Sequence, residues 1–406
     1  MATIAVLGTF DTKGEEHAFV ADLIRRRGHK TLTIDTGALD APRFTPDIPR
    51  EAVAAEAGID LAAIVARKDR GEAVAAMAKA ATILLPRLHR EGRIDAVISL
   101  GGGGGTSIST AAMQALPLGV PKLMVSTLAS GNVSPYVGVK DIVMMPSIVD
   151  VSGLNRISRK ILTQAAGAIC GMVEATVEPG ADKPIVVASM FGNTTQCVER
   201  ARKLMEDAGY EVLVFHATGT GGRTMESLIG SGMVSGVLDI TTTEWADELV
   251  GGVLGAGPTR GEAAARNGVP AIMTPGCLDM VNFQERASVP SKFEGRRFYP
   301  HNPKVTLMRT TPEENVELGR ILAEKCNLST GPITVLLPLG GISVISSPGQ
   351  PFHDPQADQA LFDSWKRHLR TDISVVEYAG NINDPGFAAL CVSTLLQNMG
   401  KRPQIN

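Results

Sequence analysis

Five consecutive glycines, Gly101 to Gly105, followed by Thr106 and Ser107, form the densest local signal in a chain of 406 residues. Backbone without Cβ atoms lets an anion approach closely, and the amides of Thr106 and Ser107 would open a helix whose N-terminus favours phosphate. The run is not a Walker A loop, because no lysine follows its last glycine. It is a poor Rossmann fingerprint too, because it follows a third strand and not a first. The alternative is a flexible turn with packing glycines, although each glycine costs backbone entropy and a turn does not need five.

A second stretch, "GTFDTKGE", brings Thr9, Asp11, Thr12 and Lys13 to the end of the first strand. Lys13 offers a point charge for a phosphate, and Asp11 or Thr12 can hold Mg²⁺ or its waters. Thr12 with Glu15 or Glu16 also reads as a helix cap, and the two uses can coexist. Asp35 ends the second strand, where a carboxylate can accept a ribose hydroxyl or simply form a turn. Thr127, Ser130, Gly131 and Asn132 make a second small-residue loop with hydroxyl donors. Together these are the parts of a phosphate-bearing ligand site.

The later half carries different chemistry. Thr241-Thr242-Thr243-Glu244 stands where the glycine run stood, and Asp279 follows the next strand. Arg223 lies in "GTGGRTME", and Arg296, Arg297, His301 and Asn302 lie in a long aperiodic segment, expected to be loop. Glu244 or His301 can move a proton, and the arginines, Asp279 and Asn302 can hold a carboxylated substrate. Each residue alone also has a plain structural reading. Cys277 as a nucleophile is disfavoured, since nothing fixes a histidine beside it.

These residues sit on a pattern that the chain repeats. "IAVLGTFDTKGEEHAFVADLIRRRGHKTLTIDTG" recurs as "IVVASMFGNTTQCVERARKLMEDAGYEVLVFHATG", pairing Phe10 with Phe191 and Gly28 with Gly209. "DAVISLGGGGGTS" parallels "SGVLDITTTEWAD", and "GVPKLMVST" parallels "GVPAIMTPG". An apolar strand at 3–8, a helix at 14–27 stopped by Gly28 and a strand at 31–34 make a βαβ unit. A third strand at 94–100, a helix near 106–115, a strand at 121–126 and a helix at 155–173 complete the first copy. The predicted class is α/β, with two doubly wound Rossmann-like domains related by duplication, at 1–180 and 181–406. "EPGADKP" at 178–184 has linker composition, and the copies diverge after residue 276.

Composition excludes several classes. The net charge is −3, without the basic stripe of a nucleic-acid-binding domain. Arg25-Arg26-Arg27 at a helix end reads as a complement to the helix dipole. The five cysteines lack metal spacing and fit a reduced, cytoplasmic protein. No apolar stretch is long enough to span a bilayer, and the first residues run into a strand without a leader pattern.

"VLGTFDTKGEE", "SLGGGGGTS" and "VSTLASGNVSPYVG" resemble the ATP-binding amino-terminal domain family of the tomato mosaic virus resistance protein and its bacterial relatives. The likeness extends through "HATGTGGRTMESLI", "TTTEWADELVGG" and "HNPKVTLMRTTPEEN". The resemblance implies ATP with Mg²⁺ at the first domain, and a homodimer. The expected function is an ATP-dependent enzyme acting on a small carboxylated metabolite between the domains. The alternatives are a non-catalytic ATP-binding module that a partner protein recognises, and an enzyme for a phosphorylated metabolite that uses no nucleotide.

Overall fold

A computed structural model describes residues 1–176, 178, 180 and 182–400. The chain divides into two compact units, Met1–Pro179 and Gly180–Asn406. The linker reading of 178–184 falls partly on 179 and 181, which lie outside the described residues.

Unit 1 runs β1 (Thr3–Gly8), α1 (Phe10–Arg26), β2 (Lys30–Asp35), α2 (Arg50–Ala55), α3 (Leu61–Arg67) and α4 (Arg70–Arg90). It continues through β3 (Ala96–Gly101), α5 (Gly103–Gln114), β4 (Lys122–Ser126), α6 (Ser134–Val137), β5 (Val143–Pro146) and α7 (Arg156–Glu174). The strands form one parallel sheet in the order β2-β1-β3-β4-β5. Because side chains alternate along a strand, Ala5 and Leu7 of β1 enter one core with Met77 and Ile108, while Ile4 and Val6 enter another with Val20 and Leu162. Strands buried on both faces are mostly apolar, as β1 and β3 are; the one buried polar side chain of β3, Ser99, is hydrogen-bonded to Ser109. The two cores put α4 and α5 on one face and α1 and α7 on the other.

Unit 2 begins the same way, with β6 (Ile185–Met190), α8 (Thr195–Asp207), β7 (Glu211–His216), α9 (Thr220–Gly230), β8 (Val234–Thr241), α10 (Glu244–Val250), α11 (Glu262–Arg266) and β9 (Ala271–Gly276). An excursion follows, made of β10 (Met280–Phe283), β11 (Phe298–Asn302), β12 (Val305–Arg309) and α12 (Pro312–Asn327). The unit ends with β13 (Ile333–Pro338), α13 (Pro355–His368), β14 (Ser374–Tyr378) and α14 (Pro385–Asn398). Its parallel sheet runs β14-β13-β9-β8-β6-β7. Read from β7, the two sheets share the second-first-third-fourth order, which unit 1 extends by β5 and unit 2 by β13 and β14, so the duplication is one of topology as well as of sequence.

Three boundaries differ from the sequence expectation. The first helix opens at Phe10, so Asp11, Thr12 and Lys13 belong to its first turn and not to a loop. The helix after the glycine run opens at Gly103, so the glycines are that turn. The segment expected to be loop around His301 is instead a small antiparallel sheet, β10-β12-β11. Strands of four or five residues are too short to show periodicity, and the burial differs from one to the next, with β10 and β12 buried and β11 exposed at its end, so the sheet was not visible in the pattern.

A buried carboxylate fastens this excursion to the main sheet. Asp247 on α10 accepts N–H groups from Asn282 and Leu254 and the side-chain amide of Asn282 on β10. Burial pushes its pKa up to about 7 against those bonds. The folded value therefore lies above the unfolded one of about 4, and the native state holds the extra proton between the two. This group's contribution to stability is fully present below about pH 4 and is lost as pH rises towards 7. An Asp247→Asn variant is expected to flatten the stability profile between those limits, read by urea denaturation at several pH values.

Candidate functional site

The chain changes face between β1 and β3, since α1 covers one side of the sheet and α5 the other. Adjacent strands whose helices depart in opposite directions leave a crevice at their carboxyl ends, where open α/β sheets bind ligands. A cleft of about 220 Å³ occupies this place. Thr9 before α1 and Asp11, Thr12 and Lys13 within it line the cleft, with Gly102 before α5, Gly104 and Gly105 within it, and Thr36, Arg70 and Asp150 from elsewhere. Its apolar wall includes Leu39, Ala73, Val74 and Ile108. A second pocket of about 270 Å³ shares Ala38, Leu39 and Ala73 with the cleft and continues to Ile64, Val65, Lys68 and Asp69.

The glycine run builds one wall. None of its residues has a positive φ, so conformation does not demand glycine here. Packing demands it at Gly101, where a Cβ would lie 3.2 Å from the Gly105 Cα, and is tight at Gly104. At Gly103 a Cβ would meet nothing within 4 Å. What its absence leaves open is the approach to the first amides of a 12-residue helix. The Thr106 N–H, expected to serve an anion, is already donated to the Gly102 carbonyl. The available donors are the amides of the glycines themselves.

Lys13 is set by a local break in α1. Its backbone leaves the helical region (φ −126°, ψ 24°), and its freed carbonyl takes the His17 Nδ1 at 2.6 Å. His17 is fully buried and burial lowers its pKa, so the ring is neutral and donates from Nδ1. A Cβ on Gly8 would lie 2.0 Å from His17 Nε2, so glycine at position 8 makes room for this bond. Neither the Lys13 ammonium nor the Arg70 guanidinium has an ion-pair or hydrogen-bond partner among the described residues. Thr36, fully buried against the cleft, has a hydroxyl without a partner.

Other predicted residues are committed to the fold. Asp11 is buried; one oxygen accepts the Thr12 N–H at 2.7 Å and the other those of Leu39 at 3.0 Å and Asp40 at 3.4 Å. It ties the segment after β2 onto α1. Asp35 accepts the N–H groups of Phe10 and Gly37 with one oxygen, and burial raises its pKa. Its carboxylate joins the first two strand-end loops and does not face the cleft. Thr106 shares a 2.7 Å hydrogen bond with Ser126, and Ser107 donates to the Gly103 carbonyl. Thr127 stands beside Gly102, while Ser130 and Gly131 are exposed in a turn away from the cleft lining.

In unit 2 the expected acid–base set is not assembled. Glu244 is buried, accepts the Gly219 and Gly222 N–H groups at the start of α9, and pairs with Arg260 at 2.7 Å. Arg260, 1% exposed, also binds both oxygens of Asp239 at 2.6 Å and reaches Glu226 at 3.3 Å. His301 and Asn302 are exposed on β11, and Asn302 accepts the Lys304 N–H. Arg296 pairs with Glu314, Arg297 donates to the His353 carbonyl, and Arg223 is exposed beside Thr220. Asp279 is buried and accepts the Ser343 hydroxyl, and burial pushes its pKa up to about 6. Glu244 and His301 thus occupy different environments, one sealed in an ion network and one in solvent.

Arg70, Thr36 and Asp150 were missed as site residues. Thr36 and Asp150 follow strand ends, so the rule that located Lys13 also reaches them. Arg70 has no such signal, because it starts a helix that the tertiary fold carries to the cleft. Among the described residues, no group of three or more His, Cys, Asp or Glu is placed to hold a metal. No helix there is long and apolar enough to cross a membrane.

Models of the "Uncharacterised protein family (UPF0261)" N-terminal and C-terminal domains match residues 2–178 and 183–399. A UPF0261 protein of Clostridium tetani is 48% identical over 400 residues, covering 98% of this chain and 99% of that one. One from Rhizobium meliloti is 48% identical over 395 residues, covering 97% and 98%. The ToMV resistance protein Tm-1(GCR237) of Solanum lycopersicum is 41% identical over 338 residues, 81% of this chain and 45% of the tomato protein. Among solved structures, Acinetobacter baumannii MurG aligns with a TM-score of 0.23 at 12% identity over 98% of this chain and 100% of that one. A likeness that slight bears on neither mechanism nor ligand.

Two outcomes follow from the geometry. Arg260→Ala leaves three carboxylates facing one another without their cation and is expected to cost about 3–5 kcal/mol, measured by urea unfolding. Ile148, a β-branched residue at φ +65°, costs about 1–3 kcal/mol of backbone strain. Ile148→Gly is expected to raise the thermal midpoint, measured by calorimetry.

Proposed function

This chain belongs to the uncharacterised protein family UPF0261, and we propose that its first unit binds ATP through the cleft between β1 and β3. One observation carries the reading: two uncommitted cations, Lys13 and Arg70, share a cleft with the open amides of the α5 N-terminus. A helix N-terminus favours negative charge; the Lys13 ammonium is half-buried without a partner, a loss of water that an anion would offset, while Arg70 is exposed and reaches the cleft from its rim. Thr36 adds a buried hydroxyl that lacks a partner. The adjoining pocket supports a nucleoside beyond the phosphates, with the aliphatic faces of Ile64, Val65 and Leu39 available to a base.

The reading takes ATP as its Mg²⁺ complex, in a cytoplasmic homodimer, following the resemblance. Coupling of ATP to a carboxylated metabolite is the less supported part, because Glu244 is bound up with Arg260 and two backbone amides. Binding without turnover, with a partner protein recognising the loaded form, is the second reading, favoured by that same commitment of Glu244. Release of ADP with a metabolite present separates the two.

Calorimetric titration of Mg·ATP into wild-type protein, Lys13→Ala and Arg70→Ala tests the binding. Charge-assisted hydrogen bonds contribute about 1.5–3 kcal/mol, so each variant is expected to bind about 10- to 100-fold more weakly. Ser130→Ala, in the exposed turn, is expected to bind as the wild type does. Unchanged affinity in both cation variants would sink the assignment.

A further inference from the structure

One acidic side chain on the wall of the cleft is not used by the fold. Both oxygens of Asp11 accept backbone N–H groups, but the carboxylate of Asp150 has no partner among the described residues. It faces the same space as Lys13, Arg70 and the first amides of α5. Asp150 is itself exposed at the rim, and left alone its charge repels a phosphate that enters beside it.

The backbone is strained where it presents this group. The Val149 N–H bonds the Ser147 carbonyl at 2.7 Å across Ile148, whose φ is +65°. A bond from i to i+2 around a left-handed central residue is the rarer, strained form of γ-turn. Ile148 is 70% exposed, so burial of its side chain does not compensate the strain. Ser147 pins the turn instead: its N–H bonds the Ser126 carbonyl at 3.1 Å, and its hydroxyl bonds the Val149 carbonyl at 2.6 Å. The turn is therefore held by β4, and Asp150 leaves it on the cleft side. Strain of this kind persists where surrounding structure over-determines it, often beside a working site.

We propose that Asp150 is the carboxylate that engages a divalent cation carried in on the ligand's phosphates. This rests on the nucleotide reading above. The donor set fits a hard cation: one free carboxylate and the unpartnered Thr36 hydroxyl on the same cleft, with the Thr9 and Thr12 hydroxyls, bonded to each other, beside them. Mg²⁺ is commonly held by one or two carboxylates plus substrate phosphates and waters, and needs no protein cage. A cation between Asp150 and the phosphates turns the repulsion into attraction, while Lys13 and Arg70 stay on the phosphate oxygens. Asp11, the metal residue expected from sequence, keeps its role as a backbone anchor.

The test compares ATP binding with Mg²⁺ and with EDTA, by calorimetry, in wild type and Asp150→Asn. In the wild type Mg²⁺ is expected to tighten ATP by about tenfold or more. In Asp150→Asn that enhancement is lost, and metal-free ATP binds at least as tightly as to the wild type because the repelling charge is gone. Electron paramagnetic resonance of Mn²⁺ with ATP gives a second readout. The spectrum of protein-bound Mn·ATP is expected to differ between wild type and variant, reporting a change of ligand. Full Mg²⁺ enhancement in Asp150→Asn, weaker metal-free binding by the variant, or an unchanged Mn²⁺ spectrum would each overturn the assignment. ATP binding that ignores metal in the wild type would overturn it while leaving the nucleotide reading intact. No ATP binding in either buffer would remove both.

Discussion

In the first unit, the reversal of face between β1 and β3 is the constraint on which the rest depends. Right-handed crossovers fix on which side of the sheet each helix lies once the strand order is set. With the order β2-β1-β3, α1 and α5 leave their strands on opposite faces and cannot close over the strand ends between them. Everything distinctive about the cleft answers that opening. The kink at Lys13, the glycine-built start of α5 and the Asp11 clamp all lie within a few residues of it.

The second unit begins from the same topology and handles its polar strand ends differently. There Glu244 is drawn onto the N–H groups at the start of α9, and Arg260 is shared among it, Asp239 and Glu226. An internal carboxylate thus meets donors that, elsewhere, an external anion can meet. Such a network is strongly cohesive when complete, because a buried charge without its partner is costly. The added strands β13 and β14 and the antiparallel β10-β12-β11 sheet enlarge this unit around that fixed interior. The two copies share a scaffold and differ at these strand ends: uncommitted cations line the cleft of one, and an internal ion network around Arg260 holds the carboxylates of the other.

The difference bears on how chemistry-bearing residues should be read. Glu244 and Lys13 both stand at or near strand ends, and by residue type both are candidates. Their partners separate them. Lys13 has none among the described residues, whereas Glu244 has two amides and a guanidinium. Asp11 falls on the Glu244 side of this division, and Asp150, Arg70 and Thr36 on the Lys13 side; Asp35 is divided, with one oxygen bonded to two amides and the other buried without a partner.

Much of the fold was legible because it rests on local rules. Apolar runs at 3–8 and 94–100, helical spacing after each and the glycine stops at Gly28 and Gly209 define βαβ units without any knowledge of contacts. The repeated strings carry the duplication, and the glycine run with Lys13 marks one end of the sheet as unusual. The residue sequence alone, however, does not say which polar groups are spent. That Asp11 holds Leu39, that Arg70 reaches the cleft from a distant helix, and that Glu244 meets Arg260 are matters of long-range packing. The sequence by itself determined the elements of the repeated βαβ units, their order and the strand ends at which chemistry can lie, though not the small β10-β12-β11 sheet, because the former follow from periodicity and turn chemistry. Only the tertiary structure decided which of those groups remain free, because hydrogen-bond satisfaction is a property of neighbours in space and not in the chain.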